Sequence, residues 1–84
     1  MFYTYILQSK KDGQLYSGFT KNLKIRFEQY RKGLIKSTRN RRPLELIYYE
    51  ACLKQEDATK REKYFKTHYG KLFIKKRLKS YFTG

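Results

Sequence analysis

Tyr5, Tyr16, Arg26 and Glu62 are the side chains here whose types and placing could support chemistry. The usual hydrolytic sets lack their parts. Cys52 is the only cysteine and His68 the only histidine, so a Cys/His zinc site and a Ser-His-Asp triad reach no further than single residues. Catalysis, if the chain performs it, falls to tyrosine, arginine, lysine and carboxylates. Tyr5 and Tyr16 stand at matching places on the two arms of one hairpin, where they could serve a site or simply fill a core. Arg26 borders an apolar helical stripe, four residues before Tyr30; by itself it reads as a snorkelling surface residue. Glu62 interrupts a second apolar stripe. A carboxylate there must be paired, with Arg26 or a nearby lysine, or hold a cation.

The hairpin is written as Phe2–Gln8, a turn with Asp12-Gly13, then Gln14–Thr20. Both faces of the first strand are largely apolar, which predicts a central strand covered on two sides. Gly18 marks a bulge or a close backbone approach. A helix is predicted over Leu23–Lys32, capped by Asn22 or Thr20 and stopped by Gly33, with Leu23, Phe27 and Tyr30 on its apolar side and Leu34 as a candidate continuation of that stripe. Residues 35–43 read as a basic loop, and Leu44–Glu50 as a third strand whose apolar character continues through Cys52. A second helix is predicted over Glu56–Tyr69, its stripe running Ala58, Glu62, Phe65, Tyr69, with Gly70 as its stop. A last helix, Lys71–Tyr81, places Ile74, Leu78 and Tyr81 on one side.

The 84 residues allow one domain, 1–84, with a modest core, and the +14 net charge calls for an anionic partner. Interleaving of the charge with nine tyrosines and six phenylalanines favours nucleic acid over a merely solvated surface. No apolar run approaches the ~20 residues of a membrane span, and no signal peptide is recognisable. The bulk signals fit a cytoplasmic protein. Lys36, Arg39, Arg41 and Arg42 in the loop, and Lys75 and Lys76 in the last helix, are the candidate phosphate contacts.

Five elements in order make a more specific signal. They are Tyr3-Thr4-Tyr5-Ile6-Leu7, Leu15-Tyr16-Ser17-Gly18, Arg26 with Tyr30, the Asn40-Arg41-Arg42-Pro43 approach to the third strand, and Ala58-Thr59-Lys60-Arg61-Glu62-Lys63. Together they resemble the GIY-YIG nuclease superfamily. The likeness is to its small stand-alone bacterial members, similar to the N-terminal nuclease domain of the excision-repair endonuclease. Where the family pattern has Gly-Ile-Tyr this chain has Tyr3-Thr4-Tyr5, and Ser17 replaces an isoleucine. Phe19 stands where the repair endonuclease has a lysine, and a late asparagine of some members has no counterpart after Gly70.

The resemblance implies an α+β fold, a three-stranded antiparallel sheet flanked by about three helices. It also implies a metal-dependent endonuclease acting on DNA, in repair or other DNA processing, with RNA as a further possible substrate and no small-molecule cofactor. In that scheme Glu62 holds one divalent ion, Mg²⁺ or Mn²⁺. Arg26 stabilises charge on the phosphate. Tyr5 is the general base, its pKa lowered from ~10 by neighbouring cations. Tyr16 orients water or phosphate, and Tyr30 hydrogen-bonds and positions Tyr5 or the water. All four candidates are then expected around one concave surface. The alternative is a nucleic-acid-binding module on the same fold with little or no activity. Oligomeric state is not written in the sequence.

Overall fold

The computed structural model describes all of residues 1–84. The strands are β1 (Phe2–Ser9), β2 (Leu15–Thr20) and β3 (Leu44–Cys52), in the order β2-β1-β3 and antiparallel throughout. The two-sided apolar strand is therefore the central one, as its pattern requires. Gly13 turns the hairpin at φ 75°, a conformation glycine adopts freely. Ser9 Oγ accepts from the amides of Lys11 and Asp12, and Asp12 Oδ1 from the amide of Gln14, so the turn's donors are satisfied locally.

Helix α1 (Leu23–Arg31) begins where Asn22 Oδ1 accepts the Ile25 amide at 3.0 Å, and ends at Gly33 with φ 78°. It covers one sheet face, burying Tyr5, Leu7, Tyr30 and Leu44 with flanking Leu23, Phe27 and Ile35. Leu34, the candidate continuation of its stripe, lies past the Gly33 stop and is left exposed. Helices α2 (Gln55–Phe65) and α3 (His68–Arg77) cover the other, around Ile6, Phe65 and Ile74. A short α4 (Lys79–Thr83) follows. Each large apolar side chain removed from water contributes roughly 1.5–3 kcal/mol, so neither thin layer is dispensable. Thr4, where the family pattern has isoleucine, is also accommodated: its buried hydroxyl donates to the Ala58 carbonyl at 3.0 Å and ties β1 to α2. On the same side Arg61 pairs with Glu50 while lying 4.7 Å from the Phe65 ring centre and 4.9 Å from that of Phe73.

Three sequence expectations are corrected. Tyr5 is not level with Tyr16: the register sets Tyr5 opposite Gly18 and Tyr16 opposite Leu7, so the tyrosines share a face two positions apart. Helix α2 stops at Phe65, and Gly70 lies inside α3 instead of ending α2. The apolar spacing runs on through the break, but Thr67 Oγ1 accepts the Gly70 amide at 3.1 Å and starts a new helix; Tyr69, read as part of the stripe, is left exposed. The last predicted helix is split at Leu78, whose ψ of 38° leaves the helical region. Ile74 stays buried and Leu78 half-buried, whereas Phe82 packs on the core and Tyr81 turns to donate to Gln8.

Gly70 is required by contact: a Cβ there would lie 1.9 Å from the Tyr64 carbonyl oxygen, which belongs to rigid backbone. Gly70→Ala is expected to cost about 1–3 kcal/mol by overpacking. At roughly 4–8 °C per kcal/mol for a chain of this size, the melting temperature should fall plainly. An unchanged melting curve would mean that the α2–α3 junction is looser than described.

Candidate active site

The face under α1 assembles three of the candidate residues. Tyr5 extends its ring across β2 at Gly18, where a Cβ would come within 2.3 Å of the phenol oxygen. Gly18 therefore marks a close approach, and the register irregularity of the sheet falls elsewhere, between Ile6 and Leu7 on the β3 side. Tyr5 Oη lies 2.9 Å from Tyr30 Oη, and Arg26 Nε donates to it at 3.4 Å. The four-residue spacing of Arg26 and Tyr30 places the guanidinium 5.2 Å from the Tyr30 ring centre. Arg26 Nη1 donates to Gln29, leaving the rest of its fork available.

Tyr16 shares this face but is only half-buried. It borders a cleft of about 260 Å³ at the β2 edge, together with Ser17, Tyr30, Thr38, Lys66 and Lys71. The cleft turns around the strand edge, because Tyr16 and Tyr30 belong to the α1 side while Phe65, Lys66 and Ile74 come from the α2–α3 side.

Glu62 is not on the face of Tyr5 and Arg26. It lies buried on α2 between Ala58 and Phe65, on the opposite side of the sheet, so the single concave surface expected for all four is replaced by two faces meeting at an edge. The pairing required of a carboxylate in an apolar stripe is met by Lys66 at 2.5 Å, not by Arg26. Lys66 also lines the cleft, which makes it the link between Glu62 and the tyrosine side. No group of three or more His, Cys, Asp or Glu side chains could cage a metal. A single buried carboxylate whose one counter-ion is an exposed lysine does fit a hydrated Mg²⁺ completed by waters and phosphate.

The protein's own groups shift the Tyr5 phenol in the direction opposite to the lowering expected of it. Burial raises its pKa well above the usual phenol value, and the hydrogen bond with Tyr30 adds to this; the Arg26 hydrogen bond opposes both without prevailing. Arg26 is conversely held in its charged form, chiefly by its bond to Tyr5. Among these groups the buried phenol keeps its proton while its oxygen accepts from Arg26.

The basic candidates divide. Lys36, Arg39, Lys75 and Lys76 are exposed. Arg41 pairs with Asp12 at 3.5 Å. Arg42 is used internally, donating to the carbonyls of Arg39 and Arg31 and lying against Gly33. Thr38, Lys66 and Lys71 do not stand out in the sequence; only their convergence on the cleft marks them, and no local spacing does so.

Comparison with known proteins shows the family. A family model described as the GIY-YIG catalytic domain matches residues 1–79. The chain belongs to the GIY-YIG family, a family of nucleases. It is 46% identical over 66 residues to a UPF0213 protein of Pediococcus pentosaceus, covering 77% of this chain and 68% of the relative. It is 42% identical over 67 residues to a UPF0213 protein of Clostridium perfringens, covering 79% and 71%. A Staphylococcus aureus UPF0213 protein is 37% identical over 67 residues, covering 79% and 80%. No solved structure matches. No helix is long and apolar enough to cross a membrane.

Because the folded state holds the Tyr5 proton more tightly than the unfolded chain, stability from this source is complete below pH ~10 and is lost as pH rises above it. Tyr5→Phe should therefore flatten the alkaline fall of the melting temperature. An equally steep fall in the variant would show that Tyr5 is not the buried phenol responsible.

Proposed function

We propose that this chain is a metal-dependent endonuclease hydrolysing phosphodiester bonds in DNA, acting in repair or other DNA processing. The observation that carries the reading is the Tyr5–Tyr30–Arg26 network, beside a cleft bordered by Tyr16 and lysines. Its support comes from membership of a nuclease family and from the +14 charge. In this scheme Arg26, charged and already oriented by Tyr5 and Gln29, meets the scissile phosphate and neutralises charge that develops there. Tyr30 and Tyr5 hold that arginine. Tyr16, the phenol that reaches the cleft, takes over the water-activating role first expected of Tyr5. The attacking water forms a new bond to phosphorus and loses a proton to the Tyr16 oxygen, the bond to the leaving oxygen breaks, and Tyr16 returns a proton, through solvent, to that oxygen. Glu62 would hold Mg²⁺ or Mn²⁺, which when bound supplies Lewis-acid polarisation of the phosphate. Lys36, Arg39, Lys75 and Lys76 bind neighbouring phosphates.

A second reading is a binding module without cleavage, on DNA or RNA, and the Glu62–Lys66 pair favours it by satisfying the carboxylate internally. Incubation of supercoiled plasmid with the protein and Mg²⁺ or Mn²⁺ separates the two. Under the first reading Arg26→Ala lowers the cleavage rate by ~10²–10³-fold, Tyr16→Phe by ~10²-fold, and Glu62→Gln abolishes cleavage while leaving binding intact. Cleavage that survives Glu62→Gln would refute the metal-ligand role. Binding without cleavage under any divalent ion would establish the second reading. Replacing Lys36 and Arg39 should lower the slope of log binding constant against log salt by about one for each phosphate no longer neutralised.

A further inference from the structure

We infer that the cleft at the β2 edge is a phosphate-binding subsite in which Thr38 supplies a buried hydrogen-bond donor and Lys66 and Lys71 supply the charge. Thr38 is 2% exposed, and its hydroxyl is the one buried side-chain polar atom without a hydrogen-bond partner in the protein. Its backbone, by contrast, is engaged on both sides: the amide donates to the Ile35 carbonyl and the carbonyl accepts from the Arg41 amide. The residue is thus held in place at the cleft wall by its main chain, with the side-chain oxygen left over. An unpaired buried hydroxyl destabilises a fold, and a valine of the same shape would serve packing better. The oxygen is explained by a partner that arrives. A threonine exchanges its hydroxyl and methyl positions by one χ1 step, without a change of volume, so the donor can be turned toward the cleft.

The rest of the cleft identifies that partner as an anion. Lys66 and Lys71 are both exposed and enter from the α2 end and the first turn of α3. Ser17 and Ser37 add hydroxyls to the lining. Lys66 is shared with Glu62, whereas Lys71 forms no ion pair. A volume of about 260 Å³ lies just under the ~300–1,000 Å³ of small-molecule pockets and suits a phosphate with part of its sugar. The inference rests on the nucleic-acid reading above and adds to it a subsite separate from the Arg26 fork. The phosphate could be an internal diester or a terminal monoester of the strand.

The test is binding by the intact chain in the presence of a chelator, read as anisotropy of short labelled oligonucleotides with and without a terminal phosphate. Amide NMR shifts on titration with inorganic phosphate form a second readout. Thr38→Val should weaken oligonucleotide binding by ~10-fold or more, as expected for removal of a hydrogen bond to a charged group, while melting no lower than the parent chain. Thr38→Ser should bind within about twofold of the parent. Lys71→Met should weaken binding, and phosphate should shift the amides of Thr38 and Lys71 in the parent but not in Thr38→Val. A Thr38→Val effect confined to terminally phosphorylated strands assigns the monoester; an equal effect on both assigns the diester. A folded Thr38→Val chain that binds as the parent does, or phosphate shifts that fall elsewhere, would overturn the subsite. Because no cleavage is measured, an inactive protein with these differences intact would refute the nuclease mechanism alone. A cleaving protein without them would refute the subsite alone.

Discussion

The Tyr5 ring crosses β2 at the one position where nothing larger than hydrogen fits beneath it, and the geometry of the α1 face follows from that contact. Closing the ring over Gly18 fixes where its oxygen lies, 2.9 Å from Tyr30 and within reach of Arg26. Those two side chains stand one turn apart on α1, so meeting a single oxygen sets both the rotation of the helix and its position over the sheet. Gly33 then ends the helix against the Arg42 guanidinium, which ties the end of the basic loop to the C-terminus of α1. A substitution at Gly18 would therefore be felt first as a displaced Arg26.

Two effects compete at Tyr5, and their magnitudes decide what the residue is for. Burial raises the phenol most, the hydrogen bond with Tyr30 adds to it, and the 3.4 Å contact with a partly solvated guanidinium lowers it by less. Among the protein's own groups burial wins, so Tyr5 keeps its proton and its oxygen holds the Arg26 guanidinium. That is useful in itself. A guanidinium with one edge already fixed by a phenol and a glutamine loses less freedom when it meets a phosphate.

Most of the fold could be read from the sequence because its signals were local. The Asp12-Gly13 turn, the Asn22 cap, the Gly33 stop and the two apolar faces of β1 each depend on a few neighbouring residues, and each is where the pattern put it. The helical C-terminal third was less legible, since the apolar spacing of α2 passes unbroken into α3 and only the Thr67 side chain separates them. At the candidate site, spacing placed Arg26 beside Tyr30 on one side of α1 but by itself read Arg26 as a surface residue, and only the family resemblance gave the pair a role; Gly18 was legible from its place in the hairpin. Which face Glu62 occupies was not, because that depends on how α2 packs after β3, and no spacing records it. Thr38 carried no signal at all: a threonine in a basic loop looks solvated until the fold buries it.

The split between the two faces also constrains where a joint site can be. Side chains on opposite faces of an interior strand are kept apart by the sheet itself. At an edge strand they can approach around the free backbone, and β2 is such an edge, six residues long with every residue half-buried. Free edges invite pairing with other chains, and nearby charge is one way proteins prevent it. Lys66 and Lys71 beside β2 meet that need while presenting cations to the cleft. A chemistry that draws on Tyr16 from the α1 side and Glu62 from the α2 side thus requires that β2 stay unpaired. Adding a fourth strand there would leave each half of the network intact and separate them.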